Sequence, residues 1–163
     1  MKKMLLFLVM FGFAFSFFGC QTTAVEKEFT GSGITITLND DFTAKENVSI
    51  PLYLESFDTI FMGFREAMTS TTEYEIYTLN QYIQAVLENN SRPEAQIYTY
   101  DQDGVFYLYA YYSTTVDDIN YGYMLVCMAG EQYFYTMHFY CLDKNLDSFK
   151  DQYIEWANTI TVD

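Results

Sequence analysis

Two stretches decide the fold: IYTYDQDGVFYLYAY at residues 97–111 and YGYMLVCMAGEQYFYTMHFY at residues 121–140. Each alternates apolar and polar or aromatic residues about a short break, Asp103-Gly104 in the first and Gly130-Glu131 in the second. Alternation of period two flanking Asp-Gly is a strong local signal for a β-hairpin, because the type I′ turn needs two residues with positive φ. A two-residue turn at Asp103-Gly104 sets Tyr100 opposite Tyr107 and Tyr98 opposite Tyr109. A type II′ turn at Gly130-Glu131 sets Met128 opposite Tyr133, Val126 opposite Tyr135 and His138 opposite Tyr123. Since a strand's side chains alternate between faces, the first hairpin has one face of Ile97, Thr99, Phe106, Leu108 and Ala110. Its other face is Tyr98, Tyr100, Tyr107, Tyr109 and Tyr111. The second hairpin has Met124, Val126, Met128, Met137 and Phe139 on one side, and Tyr121, Tyr123, Leu125, His138 and Tyr140 on the other. Both hairpins thus predict an aliphatic face and a tyrosine-rich face. The rings of Tyr107, Tyr109, Tyr121, Tyr123 and His138 are expected together on the second of these, as a surface for a ligand or a protein partner.

Outward from the hairpins the pattern turns helical. Thr78 and Gln81 form a capping box, and Leu79, Tyr82, Ile83, Val86 and Leu87 recur at helical spacing until Asn89-Asn90-Ser91-Arg92-Pro93 ends the run. A second helix is expected from about Asn145 to Asn158, with Leu146, Phe149, Tyr153, Trp156 and Ala157 along one side. Earlier in the chain, Gly33-Ile34-Thr35-Ile36-Thr37-Leu38 alternates strictly and stops at Asn39-Asp40-Asp41. Residues 51–55 and 59–64 are β-prone. Strands and helices without βαβ alternation specify an α+β domain, an antiparallel β-sheet packed by helices.

The N-terminus carries an address. A basic Met1-Lys2-Lys3-Met4 head precedes a 14-residue apolar run, Leu5 to Phe18, whose one polar side chain is Ser16, and then Gly19-Cys20. That run is shorter than the ~20 residues a helix needs to cross a bilayer, so it is the core of a signal peptide over residues 1–19. Phe17-Phe18-Gly19-Cys20 resembles a bacterial lipobox at Gly19 and Cys20 and departs from it at the two preceding positions. On this reading Cys20 is the lipid-attachment residue, and the membrane is reached through a lipid anchor on the extracytoplasmic side. The competing reading is cleavage after Thr22-Thr23-Ala24, which releases a protein without Cys20. Residues 20–32 show little apolar periodicity and are expected to be a tether, with the domain spanning 33–163.

Composition excludes several classes. With 50% apolar residues, 16 Tyr and 15 Phe, the chain has too many core formers to be disordered. Its net charge is −14, and losing Lys2 and Lys3 makes it more negative by two. Such a charge opposes nucleic acid and anionic lipid alike.

Chemical motifs are sparse. Asp101-Gln102-Asp103-Gly104 imitates the start of a calcium loop, but the position of the bidentate Glu is Tyr112. His138, the only histidine, has no nucleophile and orienting acid at catalytic spacing. No metal site and no cofactor is expected. In the hairpin register, Cys127 and Cys141 lie far apart on opposite faces, so no disulfide joins them.

The opening strand with Asp40-Asp41-Phe42, the helix start Thr78-Leu79-Asn80-Gln81-Tyr82, and the ending from Phe139-Tyr140-Cys141 through Phe149, Trp156, Ala157 and Ile160 resemble PsbP-like and DcrB-like small bacterial lipoproteins. The resemblance implies an αβα sandwich around an antiparallel sheet. It also implies a non-catalytic binding or assembly factor, not an enzyme, and carries over no functional residue. The alternative expectation is a small-solute or cation-binding module using acidic loops such as Asp117-Asp118.

Overall fold

The computed structural model describes residues 25–163; the expected signal peptide and Cys20 lie outside them. The chain forms β1 (Glu26–Gly31), β2 (Ile34–Asn39), β3 (Thr43–Ala44), β4 (Leu52–Glu55), β5 (Ile60–Ala67), α1 (Met68–Thr71), α2 (Leu79–Asn89), β6 (Ile97–Gln102), β7 (Val105–Val116), β8 (Ile119–Ala129), β9 (Tyr133–Leu142), α3 (Leu146–Ala157) and β10 (Thr161–Val162). Strands 3-4-5-9-8-7-6 make one seven-stranded sheet, and 1-2-10 a small three-stranded one. The paired strands are antiparallel throughout. The α+β expectation therefore holds, and both helices stand where the periodicity put them. Thr78 caps α2 through a complete capping box with Gln81.

On one side of the large sheet, α3 and the small sheet bury Met124, Val126, Met128, Tyr135, Met137 and Phe139 with Ile34, Ile36, Leu38, Tyr153 and Ala157. On the other, α2 lays Tyr82, Ile83 and Leu87 on Leu108, Ala110, Leu125, Cys127 and Phe134. We call these the α3 face and the α2 face.

Three expectations need correction. Residues 26–31, read as tether, form β1 and pair with β2 from Glu26↔Asn39 to Gly31↔Ile34. Phe29 is the buried side chain of that strand, so backbone pairing holds it and no apolar pattern betrays it.

The β8–β9 hairpin is shifted by two residues. Met128 faces Tyr135, Val126 faces Met137 and His138 faces Leu125, with four residues between the pair Ala129↔Phe134. Gly130 is absent from the residues with positive φ, so it does not serve the type II′ turn. It is required for space instead, since a Cβ there would lie 1.9 Å from the Asp163 carbonyl oxygen. Because the shift is even, each side chain keeps its face within the hairpin.

The third correction concerns how the two hairpins join. Asp117 and Asp118, with φ of 49° and 63°, make a two-residue turn that pairs Val116 with Ile119. That turn aligns Tyr109 with Val126 and Tyr111 with Met124. The tyrosine side of the first hairpin therefore continues into the aliphatic side of the second, and the expected common tyrosine face does not exist.

Cys127 and Cys141 are free and buried. Cys141 pairs with Gly122, five residues from Cys127 along β8, or about 17 Å, and the two lie in different core layers. Burial pushes both thiols up. Both are expected to resist alkylation in the native protein and to react once it is unfolded, as read by mass spectrometry; a mass two hydrogens lighter would show a bridge. Gly130→Ala is expected to lower stability by about 1–3 kcal/mol in denaturant melts, the usual cost of overpacking, because Asp163 is held in place from two sides. Its N–H donates to the Gly33 carbonyl, and its own carbonyl accepts from the Tyr135 hydroxyl.

Candidate functional site: the open half of the α2 face

Helix α2 packs chiefly on β7 and β8, and the seven-stranded sheet extends beyond those two strands. The register shows what is left. One row across the strands reads Ala110, Leu125, His138, Met62, Tyr53, and the next reads Tyr112, Tyr123, Tyr140, Ile60, Glu55. Ala110 and Leu125 lie under α2. Tyr53, Ile60, Met62, Phe64, Tyr121 and Tyr140 are only half-buried, and none of them joins the core that α2 closes, whereas the half-buried Tyr123 packs at its margin.

The tyrosines of the second row stand on edge. Tyr112 stacks on Tyr123 at 5.1 Å between ring centroids and Tyr123 on Tyr140 at 5.1 Å, while Tyr121 meets Tyr140 edge to face at 5.9 Å. Strand spacing of about 4.8 Å dictates this: side chains at paired positions are one ring-stacking distance apart. Burial raises the phenol pKa of Tyr112, Tyr123 and Tyr140, and the neighbouring Tyr53 adds to the effect at Tyr140. All three are neutral hydroxyls at physiological pH, able to donate or accept a hydrogen bond.

His138 lies at the base of this row, with its ring edge-on to Tyr112 and Tyr123 at 6.4 and 6.2 Å. It is 8% exposed. Neither Nδ1 nor Nε2 has a hydrogen-bond partner among the described residues. Desolvation drives its pKa down to about 4, so the imidazole is neutral at physiological pH.

The open half runs into a cleft of about 410 Å³ at the end of the sheet, where Ile60, Tyr121 and Tyr140 meet Phe57, Asp58, Leu142 and Lys144. A separate groove of about 750 Å³ lies between α2 and the segment from Glu66 to Ile76, and its charged lining is Glu66, Glu75 and Glu88. No group of three or more His, Cys, Asp or Glu side chains among the described residues is placed to hold a metal ion.

Of the residues expected to share a site, Tyr121, Tyr123 and His138 are together on the open half. Tyr107 and Tyr109 are on the opposite, α3 face. There Tyr107 is fully buried and donates to Asn158 at 2.9 Å, and Tyr100 stacks on it at 4.8 Å. Tyr109 stacks on Tyr98 at 5.2 Å near the sheet edge. Sequence reasoning missed Tyr53, Met62 and Phe64, because their strands lie some 60 residues upstream of the hairpins and nothing local links β5 to β9. The signal for the face inversion was present in Val116-Asp117-Asp118-Ile119, a two-residue turn between β-branched residues.

Burial of neutral His138 ties stability to pH. The unfolded histidine titrates near 6.5 and the folded one near 4, so between these values the unfolded state binds more protons. The stabilising contribution is complete above pH 6.5 and is lost as pH falls toward 4, amounting to about 3 kcal/mol. Urea melts of the wild type and of His138→Leu between pH 7 and pH 4 are expected to diverge by that amount, the wild type falling more steeply. Parallel profiles would show that the ring is solvated.

No family model matches the sequence, and no curated protein matches it significantly. Among solved structures the chain is similar to the solution structure of cyanobacterial PsbP (CyanoP) from Synechocystis sp. PCC 6803, with a TM-score of 0.59 and 11% identity over 89% of this chain and 96% of that one. A crystal structure from Bacteroides thetaiotaomicron VPI-5482 has a TM-score of 0.55 and 14% identity; the match covers 84% of this chain and 48% of that one, so this chain spans about half of that protein. LpqN of Mycobacterium tuberculosis, described as involved in cell envelope biogenesis, gives 0.46 and 11% over 86% and 91%. At these identities the first two likenesses speak to architecture alone, and they establish that the chain has a PsbP-like fold.

Proposed function

We propose that the protein is a membrane-tethered extracytoplasmic lipoprotein that acts without catalysis, as a binding or assembly factor whose protein partner contacts the open half of the α2 face. The observation that carries this reading is His138. A buried imidazole with neither nitrogen paired among the described residues, beside the half-buried Tyr123 and Tyr140, is costly in an isolated molecule. A partner lying across Tyr53, Met62, Tyr123 and Tyr140 would complete the layer that α2 leaves unfinished. Tyrosine suits such a surface, because each ring brings apolar area and a hydroxyl while losing little conformational entropy.

The anchor rests on the sequence. Gly19-Cys20 follows an apolar run too short to span, and no helix among the described residues is long and apolar enough to cross a membrane. A second reading, a module for a small cationic solute, has the groove beside α2 in its favour, since its only charged lining groups are three glutamates. Titration calorimetry with polyamines and Ca²⁺ separates the two.

The full chain, expressed in a bacterial host and recovered from membranes, provides the test. Cys20→Ala is expected to abolish incorporation of labelled fatty acid and to block processing at Gly19-Cys20. Tyr123→Ala is expected to lower co-purification of a partner about tenfold or more, the scale of an interface hot spot. Tyr109→Ala, on the other face, should leave it unchanged. Equal loss in both variants would remove the open half as the docking surface.

A further inference from the structure

The first described residue leaves the domain at one particular end. Strand β2 starts beside β5, where a Cβ on Gly63 would come within 2.8 Å of Ile34. It finishes through Asp40–Phe42 into β3, whose Thr43 pairs with Glu55 next to the β4–β5 turn. Antiparallel β1 must therefore begin at the end of the molecule that carries the β4–β5 turn. Val25 is fixed there, its N–H donating to Asp40 at 3.2 Å.

The strand directions bring two more features to that end. They are the β7–β8 turn, with its pair Val116↔Ile119, and the close of β9 at Leu142, opposite Tyr121. Its apolar tips are exposed: Phe57 fully, and Val116, Ile119 and Leu142 at 48%, 45% and 40%. Phe57 and Leu142 also line the 410 Å³ cleft. Asp58, Asp117 and Asp118 stand beside these tips, exposed to solvent.

We infer that this end of the sheet rests on the bilayer, with Phe57, Val116, Ile119 and Leu142 entering a zwitterionic lipid interface. The inference rests on lipidation at Cys20 and adds the domain's orientation and its second contact. Four residues, Gln21 to Ala24, lie between Cys20 and Val25, a reach of at most about 18 Å over five steps, so the end that holds Val25 is the one kept near the headgroups. The chemistry then selects the lipid. Zwitterionic headgroups carry an ammonium group outermost, which complements the aspartates beside the apolar tips, whereas anionic headgroups are repelled by them. Single apolar side chains bind an interface weakly alone, and the anchor supplies the local concentration that makes several of them sufficient.

The test uses the full acylated chain in vesicles of phosphatidylcholine and phosphatidylethanolamine containing a brominated lipid as quencher. Phe57→Trp and Ile119→Trp report the proposed contact, and Val48→Trp and Phe106→Trp report the opposite end. Each is read against the parent chain, whose Trp156 packs on Phe42 and Phe139. Quenching is expected to be roughly threefold or more greater at the first pair than at the second, and to weaken when phosphatidylglycerol replaces the zwitterionic lipids. Flotation with the vesicles but equal quenching at both ends, or none at either, would overturn the orientation alone. Failure of the wild-type chain to float would overturn the anchor and the orientation together.

Discussion

Everything in this fold is referred to strand β8. It is paired on both edges, to β7 from Leu108↔Cys127 to Val116↔Ile119 and to β9 from Ala129↔Phe134 to Tyr121↔Leu142. It is also buried on both faces, with Met124, Val126 and Met128 in the layer under α3 and Leu125 and Cys127 in the layer under α2. A strand enclosed on four sides has no freedom to slip, because a shift of one residue would exchange two well-packed layers. Helix, small sheet and open face all take their positions from its register.

That enclosure explains why the aromatic content is so high. A strand buried on both faces needs neighbours that fill two layers, and tyrosine does this while keeping a polar tip for the rim. The two tyrosine groups have different fates. On the α3 face, Tyr107 is sealed in and Tyr98, Tyr100, Tyr109 and Tyr111 form a ladder at the sheet edge, with the Lys150 ammonium 5.1 Å above Tyr111. On the α2 face, the row runs from Tyr112, buried in the core under α2, to the half-buried Tyr140, with His138 in the row beside it. Each layer holds a buried polar group with no partner among the described residues, Tyr153 Oη on the α3 side and the His138 ring nitrogens on the α2 face, and only the second stands beside half-buried tyrosines outside the α2 core.

The parts legible from sequence were those with a local code. Asp103-Gly104 has positive φ at both residues and gives the expected register, and the capping box at Thr78 marks the start of α2 to the residue. What was illegible depends on partners distant in sequence. Gly130 looks like a turn glycine and is in fact a gap for the Asp163 carbonyl, 33 positions away. Glu26–Gly31 has no apolar alternation because β2 holds it by backbone bonds. The candidate site failed at one joint: each hairpin was internally correct in facing, but the relation between them is set by Asp117-Asp118. Both aspartates accept positive φ there, at a conformational cost that glycine or asparagine would reduce.

The inversion at that joint changes what the surface can do. Had the tyrosines of both hairpins shared a face, they would have formed one broad aromatic layer for α2 to cover in part. Split as they are, each face receives one group, α3 and the small sheet close over most of the first, and α2 closes over only part of the second. Helix α2 packs chiefly on β7 and β8, and the seven strands include β4 and β5 beyond them, which supply Tyr53, Met62 and Phe64. An apolar half-layer exposed in a monomer is a liability for aggregation. Here the surrounding acidity, 22 Asp and Glu against 8 Lys and Arg, keeps copies apart by like-charge repulsion. On the proposed reading of this face as a docking surface, that charge would favour a partner of different composition over a second copy of the same chain.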